Sequence, residues 1–292
     1  MTNGKGRTQR RIMKKAVPFL IAALFFVDLA WSAELTPIRA IRTPMPEQAD
    51  CRVSAFRNYE DAVSAIACVF AREFNVSVHG IYFLLHPNQR AFESSLVSAS
   101  KFDAAYARQT AAWAVALSTT ERVLVNEAAL SRFLWPERVR VLAHELAHTV
   151  QYRLAGGRRS TSDQWLREGL AEWMASHVVQ TLKLSTLPRR ITLALERVRK
   201  SGLHDSLPSL HRMVTFYDFA ELRSTLGTPA TYDQTFIAAD LLIQRYGLQT
   251  VLQYFRLFAQ SDDRLGNFRA SFGMDLSSFE EEFGLYLQKI LH

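Results

Sequence analysis

A chain of 292 residues, 48% hydrophobic and 22% charged, carries enough apolar side chains for one sizeable core. Its net charge of +7 is concentrated at one end, because residues 1–33 hold six of the 35 Lys/Arg and one of the 28 Asp/Glu, leaving 29 against 27. That near-balance, with no basic helix interleaved with aromatics, excludes nucleic acid as an expected partner.

The first segment has the layout of an export signal. Lys5, Arg7, Arg10, Arg11, Lys14 and Lys15 form a basic leader, residues 16–27 are apolar, and Ala30-Trp31-Ser32-Ala33 supplies small residues for cleavage. Asp28 cuts the apolar run short of a bilayer span. The expectation is an exported protein, periplasmic or secreted, with residues 1–33 cleaved or kept as an N-terminal anchor. Membrane contact is expected only if the segment is kept. An oxidising compartment favours a disulfide between the two cysteines, Cys51 and Cys68, over two buried thiols.

Residues 34–292 read as a single domain with a sheet-bearing part, 51–134, and a helical part, 135–292. Residues 34–50 lack a period and contain Pro, which suits an extended lead-in. A helix is expected over 59–74, a strand over 76–85, and a short helix over 89–97. Residues 112–117 and 122–125 read as a strand pair around Ser118-Thr119-Thr120. Beyond Trp135 the pattern is helical, at 136–154, 163–184, 189–200, 232–246, 248–259 and 276–290. Strands first and helices after them predict an α+β fold.

The helix expected over 136–154 contains His144-Glu145-Leu146-Ala147-His148. Helical geometry puts the two imidazoles on one face, where they can share a metal ion, and turns Glu145 about 100° away, within reach of a water on that ion. This is the H-E-x-x-H arrangement of zinc metalloproteases. A catalytic zinc needs a third protein ligand. The stretch Trp165-Leu166-Arg167-Glu168-Gly169-Leu170-Ala171-Glu172-Trp173 offers Glu168 and Glu172 on one face of a second helix, capped by Ser162 or Asp163. Glu168 follows His148 by 20 residues, enough to finish one helix and bring the next back alongside.

The pair of motifs resembles the gluzincin metallopeptidases, the thermolysin-like clan, and most of all bacterial peptidase-MA-like domains, in which HELxHxxQ precedes WLxEGLAE. Gln151 also fits. Weaker likenesses continue in Leu207-Pro208-Ser209-Leu210, in Tyr232-Asp233-Gln234 with Tyr246-Gly247, and in Phe272-Gly273 with Phe279-Glu280. The resemblance implies a zincin-like fold, one zinc ion held by His144, His148 and Glu168, Glu145 as general base, and Glu172 holding His144 from behind. It also implies a sheet edge beside the metal helix, expected at 112–117, to which an extended peptide can add as a strand.

Amide hydrolysis builds charge on the carbonyl oxygen, and a hydroxyl aimed there lowers the barrier. Aminopeptidase-type gluzincins use a downstream Tyr for this, and Tyr232 is the candidate by position. The plainer reading is a tyrosine packed at a helix start. Tyr152, Tyr217 and His211 are lesser candidates. His177, nine residues past Glu168, faces the far side of that helix and reads as structural. The loop 158–161 reads as exposed.

The expected function is zinc-dependent peptide hydrolysis outside the cytoplasm, with a peptide or protein as substrate. The alternative is a zincin-like envelope protein kept for binding or assembly without turnover. A third reading, a purely structural helix pair, would have to leave all three motif matches to internal hydrogen bonds.

Overall fold

The computed structural model describes residues 37–49, 51, 56–158, 161–203 and 206–291. All of them belong to the unit Thr36–His292, and the expected export segment 1–33 lies outside them. In chain order the first part comprises β1 (Arg39–Arg42), α1 (Tyr59–Glu73), β2 (Tyr82–His86), α2 (Gln89–Ser100), α3 (Ala104–Trp113), β3 (Ala116–Ser118), β4 (Arg122–Asn126) and the short α4 (Glu127–Leu130). The strands form one mixed sheet in the order β1-β2-β4-β3. The inner pair β2/β4 is parallel, and both outer pairs are antiparallel. A parallel pair requires a crossover, and α2, α3 and β3 provide it.

Alternation along the inner strands decides what covers each face. Phe83, Leu85, Val123 and Val125 point into the main core shared with α1 and the later helices. Leu84 and Leu124 point the other way, onto Phe92, Leu96, Ala107 and Ala111 of α2 and α3. The helices start where side chains cap them: Asn58, Asn88 and Asp103 accept from the backbone N–H groups of Asp61, Ala91 and Tyr106. A disulfide joins Cys51 to Cys68 on α1, with Cα atoms 5.4 Å apart.

Three expectations change here. The strand expected over 76–85 begins only at Tyr82. Val76, Val78 and Ile81 are buried as a folded loop, with Asn75 and Gly80 at positive φ. The Thr43 hydroxyl donates to Val78 O at 2.6 Å and accepts from Ile81 N–H at 2.9 Å, so this backbone is satisfied without a strand partner. The strand expected over 112–117 is only β3, because Ala112 and Trp113 end α3. The lead-in 34–50 contains β1, a four-residue edge strand in which only Ile41 is buried.

The second part is helical: α5 (Trp135–Leu154), α6 (Gln164–Thr181), α7 (Leu187–Lys200), α8 (Phe216–Leu226), a π-helical turn (Pro229–Asp233), α9 (Gln234–Tyr246), α10 (Leu248–Leu257), α11 (Arg264–Phe272) and α12 (Leu276–Leu291). The helix α8 was not expected, and neither was α11. The expected start of α9 at Tyr232 falls inside the π turn, α6 stops at Thr181, and α10 stops at Leu257. Pro136 opens α5, and Gly156 and Gly157, at φ 64° and 77°, end it. The mean architecture is α+β, as read from the order of elements.

Helix α6 is buried on nearly every side, with α5 against one face and α9 against another. Asp163 occupies its N-cap position, but its side chain does not cap. Its carboxylate accepts from Tyr254 Oη at 2.7 Å and from Arg264 at 2.5 Å. The first helical N–H groups go instead to carbonyls, Gln164 to Val214 and Trp165 to Met213, both at 2.9 Å. A connecting segment therefore does the work expected of Ser162 or Asp163.

Candidate metal centre and cleft

His144 and His148 stand one turn apart on the inner face of α5, and α6 returns antiparallel in sequence sense to bring Glu168 against them. The three ligand atoms lie within 4.8 Å of one another. His148 Nε2 is 3.1 Å from His144 Nε2, and Glu168 oxygens are 3.4 Å from His144 Nε2 and 3.5 Å from His148 Nε2. The edge of a tetrahedron whose corners sit at zinc–ligand distance is about 3.3 Å. The two Glu168 oxygens face different rings, Oε2 toward His144 and Oε1 toward His148, and two nitrogens and a carboxylate so placed could hold a metal ion.

Surrounding groups fix the ligands. Gln151 Nε2 donates to Arg167 O at 2.8 Å, which turns its Oε1 toward His148, where it accepts from Nδ1 at 3.0 Å. The proton is thereby held on Nδ1, and the Nε2 lone pair is left for a metal. Gln164 Nε2 donates to Glu168 Oε1 at 2.6 Å, and Arg167 donates in turn to Gln164. Glu172 Oε1 lies 3.2 Å from His144 Nδ1, off the direction of that ring N–H, so Nδ1 makes no aligned hydrogen bond.

Charge at the centre is arranged in layers. Burial opposes charging His144, but the Glu168 and Glu172 carboxylates outweigh it and push the imidazole up to about 10. Burial would raise Glu168, yet His148 and His144 keep it well below the usual carboxylate range. Arg140, His144 and Arg190 do the same for Glu172. Arg140 bridges Glu172 at 2.8 Å and Glu137 at 2.6 Å, while Arg190 reaches Glu172 at 3.3 Å and the buried Asp233 at 3.1 Å. Arg140 precedes His144 by one helical turn, a spacing visible in the sequence; Arg190 gave no such signal.

The chain matches no protein-family model, no curated protein and no solved structure. The centre is therefore read from its own atoms.

Two cavities meet at Glu145. One, of about 670 Å³, is lined by Trp113, Arg140, Glu172, Arg190 and Arg223. The other, of about 470 Å³, is lined by Leu117, Ser118, Tyr152, Glu168 and Tyr217. Both share Trp113, Ala116, His144, Glu145 and Tyr232. Strand β3, at one edge of the sheet, lines both through Ala116 and the smaller one also through Leu117 and Ser118. Ser118, at its end, donates to Glu145 Oε2 at 2.6 Å, a contact that sequence alone did not show.

Tyr232 sits in the π turn with its ring 6.5 Å from that of His144, edge-on to Phe219. Burial pushes its phenol well up, and Glu168 adds to the effect, so its hydroxyl stays neutral and can donate a hydrogen bond. Tyr152 and Tyr217 line the smaller cavity. His211 is elsewhere: it is exposed, pairs with Glu280 at 2.7 Å, and lines neither cavity. His177 stacks on Trp173 and packs against Phe74. Arg158 pairs with Asp262 at the surface; Arg159 and Ser160 lie outside the described residues.

Proposed function

We propose that this chain is a zinc-dependent peptidase of gluzincin type, akin to bacterial peptidase-MA-like domains, with a zincin-like fold. The observation that carries the reading is the convergence of His144, His148 and Glu168 at metal-ligand spacing, with Glu145 beside them at the junction of two cavities. A site that serves structure alone closes its fourth position and has no use for a neighbouring base.

Bound zinc would be held by the two Nε2 atoms and the Glu168 carboxylate, and would supply an acidified water and a Lewis acid for the scissile carbonyl. Glu145 accepts the proton of the attacking water and hands it to the leaving amine. The Ser118 hydroxyl keeps the Glu145 carboxylate turned into the cleft. Tyr232 donates to the carbonyl oxygen as charge builds there. Backbone groups on the free edge of β3 pair with an extended peptide, which gives affinity without demanding a particular sequence. The Cys51–Cys68 disulfide supports action in an oxidising compartment, outside the cytoplasm. Among the described residues no helix is long and apolar enough to cross a membrane.

The test is zinc content and peptide cleavage by wild type and by Glu145→Gln. The expected result is stoichiometric zinc in both and cleavage by wild type alone. Zinc without cleavage by wild type would favour the binding or assembly role, and absence of zinc from folded protein would overturn the metal site itself.

A further inference from the structure

The larger cavity contains four arginines, and three of them are spoken for. Arg140 is engaged by Glu137 and Glu172, Arg190 by Glu172 and Asp233, and Arg197 by Asp233 at 2.5 Å. Arg223 differs. Among the described residues no carboxylate and no hydrogen-bond acceptor engages its guanidinium. It is held instead by two aromatic rings, 4.9 Å from the centroid of Trp113 and 5.4 Å from that of Tyr232.

Ring faces satisfy the cation's charge but accept none of its in-plane N–H bonds. The rings thus position a planar fork of donors and leave its edge open. Removing a guanidinium from part of its water without giving it an acceptor is unfavourable, and such an arrangement is retained most simply if an acceptor arrives with a ligand. Trp113 is 50% exposed and lines both cavities, so the supported arginine stands at the mouth of the cleft. Tyr232, its other support, has its ring beside His144. The neighbouring arginines are paired with their own acids, which leaves Arg223 as the arginine of this cavity that, among the described residues, has no carboxylate in contact.

Resting on the peptidase reading, we infer that Arg223 is a specificity-determining residue that binds a carboxylate of the peptide being cut, either an acidic side chain or the free C-terminal carboxylate. Arginine matches a carboxylate through two parallel hydrogen bonds, which lysine cannot make. The two sources of carboxylate place the same group in the same cavity.

The experiment uses full-length protein and matched fluorescent peptides in which Glu replaces Gln at successive positions, each with a free or an amidated C-terminus. Wild type is expected to favour the added carboxylate about tenfold or more in kcat/KM. Arg223→Gln is expected to reduce that preference about 10- to 100-fold, with Arg223→Lys in between. Arg108→Gln, a surface arginine outside both cavities, is the control for overall charge. Preference among amidated peptides assigns an acidic side chain, and preference confined to free-acid peptides assigns the terminus. A wild-type preference near one, or one unchanged in Arg223→Gln, overturns the inference. Fluorescence anisotropy of the same peptides provides a second reading. If wild type cleaves nothing, the peptidase reading fails, while loss of anionic-peptide binding in Arg223→Gln would still support the carboxylate site and unchanged binding would sink it. If Arg223→Gln does not fold, the ratio in Arg223→Lys decides.

Discussion

Ser118 Oγ donates to Glu145 Oε2 across 2.6 Å, and this bond ties the edge strand β3 to α5. Ser118 lies on β3, where peptide would add, and Glu145 follows His144 on α5 and lines both cavities. A hydrogen bond to a charged group contributes roughly 1.5–3 kcal/mol. If the bond holds the base in register for proton transfer, Ser118→Ala is expected to lower kcat about tenfold or more, with zinc content unchanged. Steady-state kinetics with metal analysis checks this; an unaltered kcat would show that the carboxylate finds its position without the strand.

Gln151 faces two ways, accepting from His148 Nδ1 and donating to Arg167 O. Gln151→Ala leaves the imidazole free to rotate and to take the wrong tautomer. Outer partners of this kind are worth about 10- to 100-fold in metal affinity. The expected outcome is weaker zinc binding by that factor in a chelator competition, with circular dichroism unchanged.

The first helix of the candidate site was legible because several local signals agree there. Pro136 at the start, His144 and His148 four apart, and Gly156-Gly157 at the end each specify the same helix. The cleft was far less legible. Ala112 to Leu117 is short and apolar, and such a run suits helix or strand equally; the break after Trp113 is set by tertiary packing. Val76 to Ile81 alternates like a strand, but Thr43, more than 30 residues away, takes its backbone bonds. Asp163 looked like a cap, and its carboxylate was claimed by Tyr254 and Arg264 from far along the chain. Arg223 and Ser118 show the same limit: nothing nearby in sequence says that one meets Trp113 and Tyr232, or that the other meets Glu145.

Gly169 adjoins Glu168 where α6 crosses α9. A Cβ built there would lie 2.2 Å from the carbonyl oxygen of Thr235 and 3.0 Å from Ala239 Cβ. The nearest obstacle is backbone and cannot swing aside. Gly→Ala inside a helix ordinarily stabilises by about 1 kcal/mol, but overpacking costs about 1–3 kcal/mol and occasionally more. Gly169→Ala is therefore expected to destabilise by roughly 2 kcal/mol and to weaken metal binding, because Glu168 must move with its helix. Urea denaturation gives the sign, and a stabilised variant would refute the close approach of the two helices.

The Cys51–Cys68 bridge spans 17 residues and anchors the entry to α1, which packs against α5. Closing a loop of that size restricts the unfolded chain by about 3 kcal/mol. Cys51→Ala with Cys68→Ala is expected to lower stability by that order, and a reductant should do the same to wild type but nothing further to the double variant. Equal urea midpoints for oxidised and reduced wild type would show that the bridge contributes nothing.

Stability should also depend on pH through His86, away from the candidate metal centre. The ring is fully buried; Nδ1 donates to Val125 O at 3.1 Å and Nε2 accepts from Ser95 Oγ. Burial lowers its pKa from the ordinary 6.5, and the carbonyls of Val125 and Leu84 only partly offset this. The unfolded chain therefore binds more protons than the folded one in the window just below 6.5. The contribution of a neutral His86 is fully present above that pH, is lost as pH falls through the window, and levels off below the depressed folded pKa, with a slope of at most about 1.4 kcal/mol per pH unit. His177, likewise lowered by burial, adds in the same direction. Urea midpoints measured between roughly pH 7.5 and 5.5 should fall less steeply in His86→Gln than in wild type. Comparing slopes cancels the other titrating groups and the fixed cost of the substitution, so parallel slopes would mean that His86 takes up its proton as readily inside the protein as outside it.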